Sequence, residues 1–257
     1  MAGRAKNNFM LFVIICAVAG FGALLVFHLH GFFAYRRDGR IAQENSEIAQ
    51  EMFADIVELG MAGHPPLQGG LLAPARIMAG NEDVVAFISI PGTNIGNLVV
   101  QGHDNEFYLY HDAHGQPNVN GALFMDYRNR PDFFDPNTII YGHNMRNGTM
   151  FHNLRYYMSR DFFEANPHIA IVTDQYVLIY EIFAAFSTNI DFYYIQVNFE
   201  TPEQFEGLIN EMINRSAYNT SITPTATDRI LILSTCTNIR EDTRFVVAAR
   251  LVPAIYD

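Results

Sequence analysis

Residues 231–247 read LILSTCTNIREDTRFVV, and the fold follows from how this stretch is divided. An apolar run ends at Cys236, seven mostly polar residues follow, and a second apolar run begins near Arg244. Short apolar runs bounded by turn residues read as strands. A connection of this length suits a hairpin, which sets Cys236 and Arg244 facing each other across its mouth. Working outward, the same texture recurs in VVAFISI (84–90), NLVVQ (97–101), ALFMD (122–126), TIIYGH (138–143), HIAIVTD (168–174) and YVLIYEIFAAFS (176–187). With RILILSTC (229–236) and TRFVVAARLV (243–252) these make eight strands. Turn signals such as Ile90-Pro91-Gly92-Thr93-Asn94 separate them. So many strands, with helices only as inserts, predict a mainly β fold closed or nearly closed into a barrel. Residues 149–157 and 201–215 read as helical inserts. The second opens with Thr201 as N-cap, Pro202 in the first turn and Gln204 in the capping-box position.

The N-terminal part has another character. Residues 9–27, FMLFVIICAVAGFGALLVF, carry no charge and no strongly polar side chain, and nineteen such residues as a helix nearly cross a hydrocarbon core of roughly 30 Å. Residues 28–35 continue with aromatic and mildly polar side chains suited to an interface. A cleaved signal peptide would use Ala17-Val18-Ala19, but the apolar run continues for eight residues beyond it. A lipoprotein signal ending at Cys16 fits poorly with the bulky Ile15 before it. The expectation is an uncleaved anchor in contact with membrane lipid. Its orientation is open from charge alone, because Arg4, Lys6 and the α-amine precede it while Arg36, Arg37 and Arg40 follow. Residues 40–59 then read as an amphipathic helix with Ile41, Ile48, Met52, Phe53, Ile56 and Leu59 on its apolar face. Residues 60–74, GMAGHPPLQGGLLAP, read as a linker. The organisation expected is a tail (1–8), an anchor (9–27), a helix with linker (28–75) and one domain (76–257).

All 27 acidic residues lie after Phe27, where they face fourteen arginines and no lysine. A domain of that sign repels phosphate backbones, which argues against a nucleic-acid partner. Cys16 sits in the apolar segment, so the rest of the chain has the single thiol of Cys236 and cannot form an internal disulfide.

A lone cysteine at a strand end is either an apolar filler or a nucleophile. A guanidinium beside it lowers the thiol pKa and stabilises the oxyanion of an attacked carbonyl. A cysteine nucleophile also needs a proton acceptor within reach. TIIYGHNMRNGTM (138–150) offers His143 at the end of an apolar strand, next to Gly142. A competing constellation, His103-Asp104, His111-Asp112 and His114, has the residue types of a metal site, but its spacing matches no standard motif. DNEFYLYHD reads more readily as a helical turn packing Phe107, Tyr108 and Tyr110, and no metal or other cofactor is expected.

Leu233-Ser234-Thr235-Cys236 followed by Arg244 on the next strand resembles the sortase signature, and Tyr141-Gly142-His143-Asn144 resembles the segment carrying the sortase histidine. The runs 90–112 and GALFMDYRN (121–129) are similar to class B sortases, as are the helices at 40–59 and 201–215. The resemblance covers about residues 76–252; Asn238 stands where some class B members have aspartate. It implies an eight-stranded sortase barrel and a membrane-anchored cysteine transpeptidase, with the catalytic domain on the extracellular face. Cys236 would be the nucleophile, His143 the acid/base and Arg244 the electrostatic clamp, with Thr235, Thr237 and Asn238 supporting substrate or oxyanion. The partners implied are an exported protein bearing a C-terminal sorting signal, cut after Thr, and an amine of a cell-wall precursor or pilin lysine. The alternatives are a cysteine protease using the same site and a non-catalytic surface-binding barrel.

Overall fold

The structure, a computed structural model, describes residues 2–63, 69–189, 191–236 and 243–253. The chain divides into two compact units, one ending at Ile41 and one beginning at Ala42. Helix α1, Ala2–Met61, runs through the first unit and into the second. This replaces two expected helices by one. Gly31 and Gly39 are the only breakers between the two apolar stretches, and a glycine costs a helix only about 1 kcal/mol. In the first unit Val18, Phe21, Val26 and Phe27 are all well exposed, and the helix is long and apolar enough to cross a membrane by length and composition.

The second unit is a closed barrel of eight strands: β1 (Val84–Ser89), β2 (Gly96–Val100), β3 (Leu123–Met125), β4 (Asn137–Gly142), β5 (His168–Val172), β6 (Val177–Asn189), β7 (Ile230–Cys236) and β8 (Thr243–Leu251). Their order around the barrel is β1-β2-β3-β4-β7-β8-β6-β5. The eight expected strands are all present, with small shifts at their ends. β3 stops at Met125 because Asp126 closes a turn, accepting the Arg128 N–H at 3.0 Å.

Alternation across the sheet sorts side chains into separate cores. Leu231 and Leu233 of β7 join Ile140, Ile182 and Val247 in the main cluster. Ile230 and Ile232 join Ile139, Val246 and Ala248 in another, beneath Phe205, Ile209 and Met212 of helix α4 (Pro202–Arg215). A strand buried on both faces reads as an unbroken apolar run, which is why 230–233 shows no alternation. α4 starts as expected: Thr201 Oγ1 accepts the Gln204 N–H at 3.4 Å, and Gln204 Oε1 reaches back to the Glu200 N–H at 3.0 Å.

Several expectations are corrected. Helix α2, Ala73–Ala79, begins inside the expected linker, since a proline in the first turn costs a helix nothing. The insert at 149–157 is a 3₁₀ helix, Phe151–Met158, followed by α3, Arg160–Ala165, capped by Ser159. The buried stripe of α1 in the second unit is Ala42, Ser46, Ala49 and Phe53, whereas Ile48 and Leu59 are exposed. Small residues let the helix approach β2 closely. Ser46 Oγ donates to the Gly96 carbonyl at 2.9 Å, and a Cβ on Gly96 would run into Gln50. Phe53 stacks on Phe87 of β1 with ring centroids 4.6 Å apart.

Phe53→Ala is therefore expected to destabilise the second unit by about 3–5 kcal/mol. Ile48→Ala should stay within about 0.5 kcal/mol. Urea denaturation of the two variants checks this, and equal effects would contradict the observed face.

Candidate active site

β4 and β7 run parallel, with Tyr141 opposite Ser234 and Gly142 opposite Thr235. β7 and β8 run antiparallel, with Cys236 opposite Arg244. His143 follows β4 by one residue, as Cys236 follows Thr235. The three residues singled out in the sequence thus stand on adjacent strands at one end of the barrel. Thr235 lies with them and is buried; Thr237 and Asn238 lie outside the described residues.

Gly142 is required by this packing, because a Cβ there would enter the side chains of Leu123 and Phe151. His143 is half-buried, and its Nε2 lies 2.9 Å from the Leu109 carbonyl oxygen. A carbonyl only accepts, so Nε2 carries the proton and Nδ1 of the neutral ring is left as the acceptor. The carbonyl is itself held in place. Asp104 accepts the Glu106 and Phe107 N–H groups at 2.9 Å each and starts the 3₁₀ turn Phe107–Leu109. Gly121, at φ 60°, passes so close that a Cβ would lie 2.6 Å from the Tyr108 oxygen and 2.8 Å from that of Leu109.

Tyr108 is buried, but Phe107 and Tyr110 are exposed, which corrects the expected packing of this turn. Its histidines and aspartates are engaged locally. His111 stacks on Phe107 at 3.9 Å and bonds the Phe107 carbonyl through Nδ1 at 2.8 Å. His114 Nδ1 lies 3.1 Å from the Ala79 carbonyl, and Asp112 accepts the His114 and Gln116 N–H groups at 3.0 Å each. Among the described residues no group of three His, Cys, Asp or Glu is placed to hold a metal ion.

A groove of about 320 Å³ opens on the strand ends. His143, Thr235 and Arg244 line it together with Asn105, Leu109, Phe124, Tyr141 and the segment Phe192-Tyr193-Tyr194-Ile195. Arg244 Nη1 donates to the Thr243 carbonyl at 2.9 Å. Tyr194 Oη lies 2.7 Å from Ser234 Oγ, tying the aromatic segment to β7 two residues before Cys236.

Behind the groove Asp126 is fully buried. Oδ1 accepts from Arg128 Nε at 2.8 Å, and Oδ2 from Arg128 Nη2 at 2.7 Å, Tyr141 Oη at 2.8 Å and Asn105 Nδ2 at 3.0 Å. Burial alone would raise its pKa, but the Arg128 guanidinium and these hydrogen bonds outweigh it and hold the carboxyl below the usual carboxylate range. Burial, and then the Asp126 charge, push the Tyr141 phenol well above its ordinary value, so it stays a donor.

The sequence reading missed Asp126, Arg128, the Leu109 carbonyl and the aromatic segment. Asp126 and Arg128 were visible only within GALFMDYRN; an acid directly after a buried strand is the one local signal.

With this geometry in view, comparison with known proteins is direct. Residues 88–252 match the sortase domain. The chain belongs to the sortase family. Over 174 residues, 67% of this chain and 71% of the relative, it is 38% identical to sortase B of Listeria monocytogenes; over the same shares it is 32% identical to sortase B of Staphylococcus aureus. The fold agrees with the sortase B–substrate complex of Staphylococcus aureus at a TM-score of 0.74 and 27% identity, covering 84% of this chain and 98% of that one. For Clostridium perfringens sortase B the TM-score is 0.66 at 32% identity, covering 70% and 99%. Sortases are cysteine transpeptidases, and this chain is a sortase-type enzyme most similar to class B.

Since its folded pKa is depressed, ionised Asp126 stabilises the sortase barrel above the ordinary value of 3.8, and that contribution is lost as pH falls through the lower folded value. Asp126→Asn is expected to lose about 1–3 kcal/mol at pH 7, with the deficit shrinking in acid. Urea midpoints at pH 7 and below pH 4 decide it; a deficit independent of pH would remove the charge from the explanation.

Proposed function

We propose that Cys236 is the nucleophile of a transpeptidation that joins an exported protein, cut after Thr within a C-terminal sorting motif, to an amine. The observation that carries this reading is the shared register of β4, β7 and β8, which levels His143, Cys236 and Arg244 beside a peptide-sized groove. The Cys236 thiolate attacks the threonyl carbonyl, and the tetrahedral adduct collapses to a thioester. His143 takes the Cys236 thiol proton at Nδ1 as the thiolate forms and gives it to the departing amine, then takes one from the incoming amine as the new amide forms and returns it to the departing sulfur. Arg244 holds the substrate carbonyl, with Thr235 and the residues after the nucleophile, Thr237 and Asn238, supporting the oxyanion.

The amine belongs to a cell-wall precursor or a pilin lysine. Residues 9–27 anchor the chain in lipid, 28–75 supply the N-terminal helix and linker, and 76–257 form the catalytic domain on the extracellular face. Supporting this are the exposed apolar helix, the family, and a relative described as a sortase B–substrate complex. A cysteine protease would release a carboxylic acid at the same site, so products formed with and without added amine separate the two.

Cys236→Ala should abolish a covalent adduct with a Thr-Asn or Thr-Gly peptide, read by mass spectrometry, while leaving the barrel folded. An adduct surviving the substitution would overturn the assignment.

Arg244 is tested against Arg250, which bonds Glu181 at 3.2 Å and stands six residues, or roughly 20 Å, further along β8. Lysine cannot reproduce the planar fork of donors, and loss of one oxyanion-type donor costs about 10²–10³ in rate. Arg244→Lys is expected to lose at least about a hundredfold in kcat/KM, and Arg250→Lys to stay near wild type. Equal mild effects would take Arg244 out of the site.

A further inference from the structure

We propose that Arg128 is a positioning residue for the peptide groove: anchored on buried Asp126, it fixes Tyr193 and Ile195 as a wall against which substrate binds. This rests on the reading of the groove as the peptide site. Arg128 does not itself line the groove, so its influence has to pass through what it touches. One edge of the guanidinium is spent on Asp126, through Nε and Nη2. The remaining donors reach across the groove's margin: Nη1 donates to Tyr193 Oη at 2.9 Å and Nη2 to the Ile195 carbonyl at 3.0 Å.

Both target residues lie outside strands and helices. A loop with few backbone partners of its own takes its position from such side-chain contacts. The neighbour between them, Tyr194, is tied separately to Ser234 on β7. The segment is thus held to β7 through Ser234, to β4 through Asn137, whose Nδ2 donates to the Tyr194 carbonyl at 3.1 Å and the Gln196 carbonyl at 2.9 Å, and to the β3–β4 turn through Arg128.

The base of the clamp is rigid for an electrostatic reason. Asp126 is buried and ionised, and a buried carboxylate is tolerated only when paired and saturated with donors. Arg128, Tyr141 and Asn105 supply those donors, and the latter two are themselves groove residues. Moving Arg128 therefore uncovers a buried charge, which keeps the guanidinium in one place. Planar, bidentate pairing also fixes its orientation, leaving the outer donors aimed at the wall.

A lysine at 128 keeps the charge but cannot pair bidentately and also reach Tyr193 and Ile195. The test uses the full-length chain in detergent, with Arg128→Lys and the milder Tyr193→Phe. Three measurements are made: steady-state kinetics on quenched Thr-Asn and Thr-Gly peptides, site-resolved alkylation of Cys236 by iodoacetamide, and hydrogen exchange. Arg128→Lys should raise KM roughly tenfold, the scale of losing charge-assisted hydrogen bonds, with kcat within about twofold. Tyr193→Phe should give a smaller rise in the same direction. Alkylation of Cys236, which needs no wall, should keep its wild-type rate. Amides at 193–196 should exchange faster in Arg128→Lys, while those of β4 and β7 do not change.

Unchanged KM and unchanged exchange at 193–196 would overturn the proposal. So would kcat and alkylation falling together, because Arg128 would then act on the nucleophile itself. If the wild-type chain processed neither peptide, the proposed function would fall, and exchange at 193–196 alone would decide on the clamp.

Discussion

The parallel pairing of β4 with β7 is the constraint on which the rest of the site depends. Parallel strands cannot be joined by a tight turn, and here the connection carries two strands, three helical segments and the aromatic wall of the groove before returning. The pairing fixes which residue of β4 stands beside which of β7, and β8 then adds its own register on the far side. A slip of one residue would turn every side chain of β7 to the other face, moving Leu231 and Leu233 into the core that Ile230 and Ile232 occupy. Both cores are packed, so both resist the slip. Doubly buried strands thus hold three strand ends level, and those ends carry the candidate catalytic residues.

What the strands cannot fix is supplied by backbone and buried charge. His143 lies beyond the last pairing of β4, and its ring is oriented by the Leu109 carbonyl. That carbonyl is placed by an Asp104-capped turn and by Gly121 passing against it. Of the histidines and aspartates of 103–114, Asp104 is the one that starts the turn orienting His143.

The sequence was most legible where one physical rule acted alone. Eight apolar runs between turn residues gave the strands, and a thiol, an imidazole and a guanidinium at run ends gave the candidate site. It was least legible where two rules competed. On α1, apolar periodicity favoured Ile48 and Leu59, but close approach to Gly96 selected Ala42, Ser46 and Ala49. In 73–79 proline read as a breaker although it sits in a first turn. A carbonyl such as that of Leu109 leaves no trace in the residue types, because every residue has one. Arg128 looked like any surface arginine, since its role depends on a carboxylate two residues away being driven into the interior.

These features divide the site into two parts of different stiffness. Cys236 and Arg244 are placed by the ladders that β7 makes with β4 and β8, and His143 by the end of β4 and the Leu109 carbonyl. The groove's aromatic wall belongs to a connection and is held by side-chain bonds from Ser234, Asn137 and Arg128 and by packing on the core beneath α4. Tyr194 of that wall is buried in the core beneath α4, with Phe192 and Ile195 packed against it, whereas Tyr193 is exposed. A substitution at Tyr193 can therefore alter the groove's wall without disturbing the register of β4, β7 and β8.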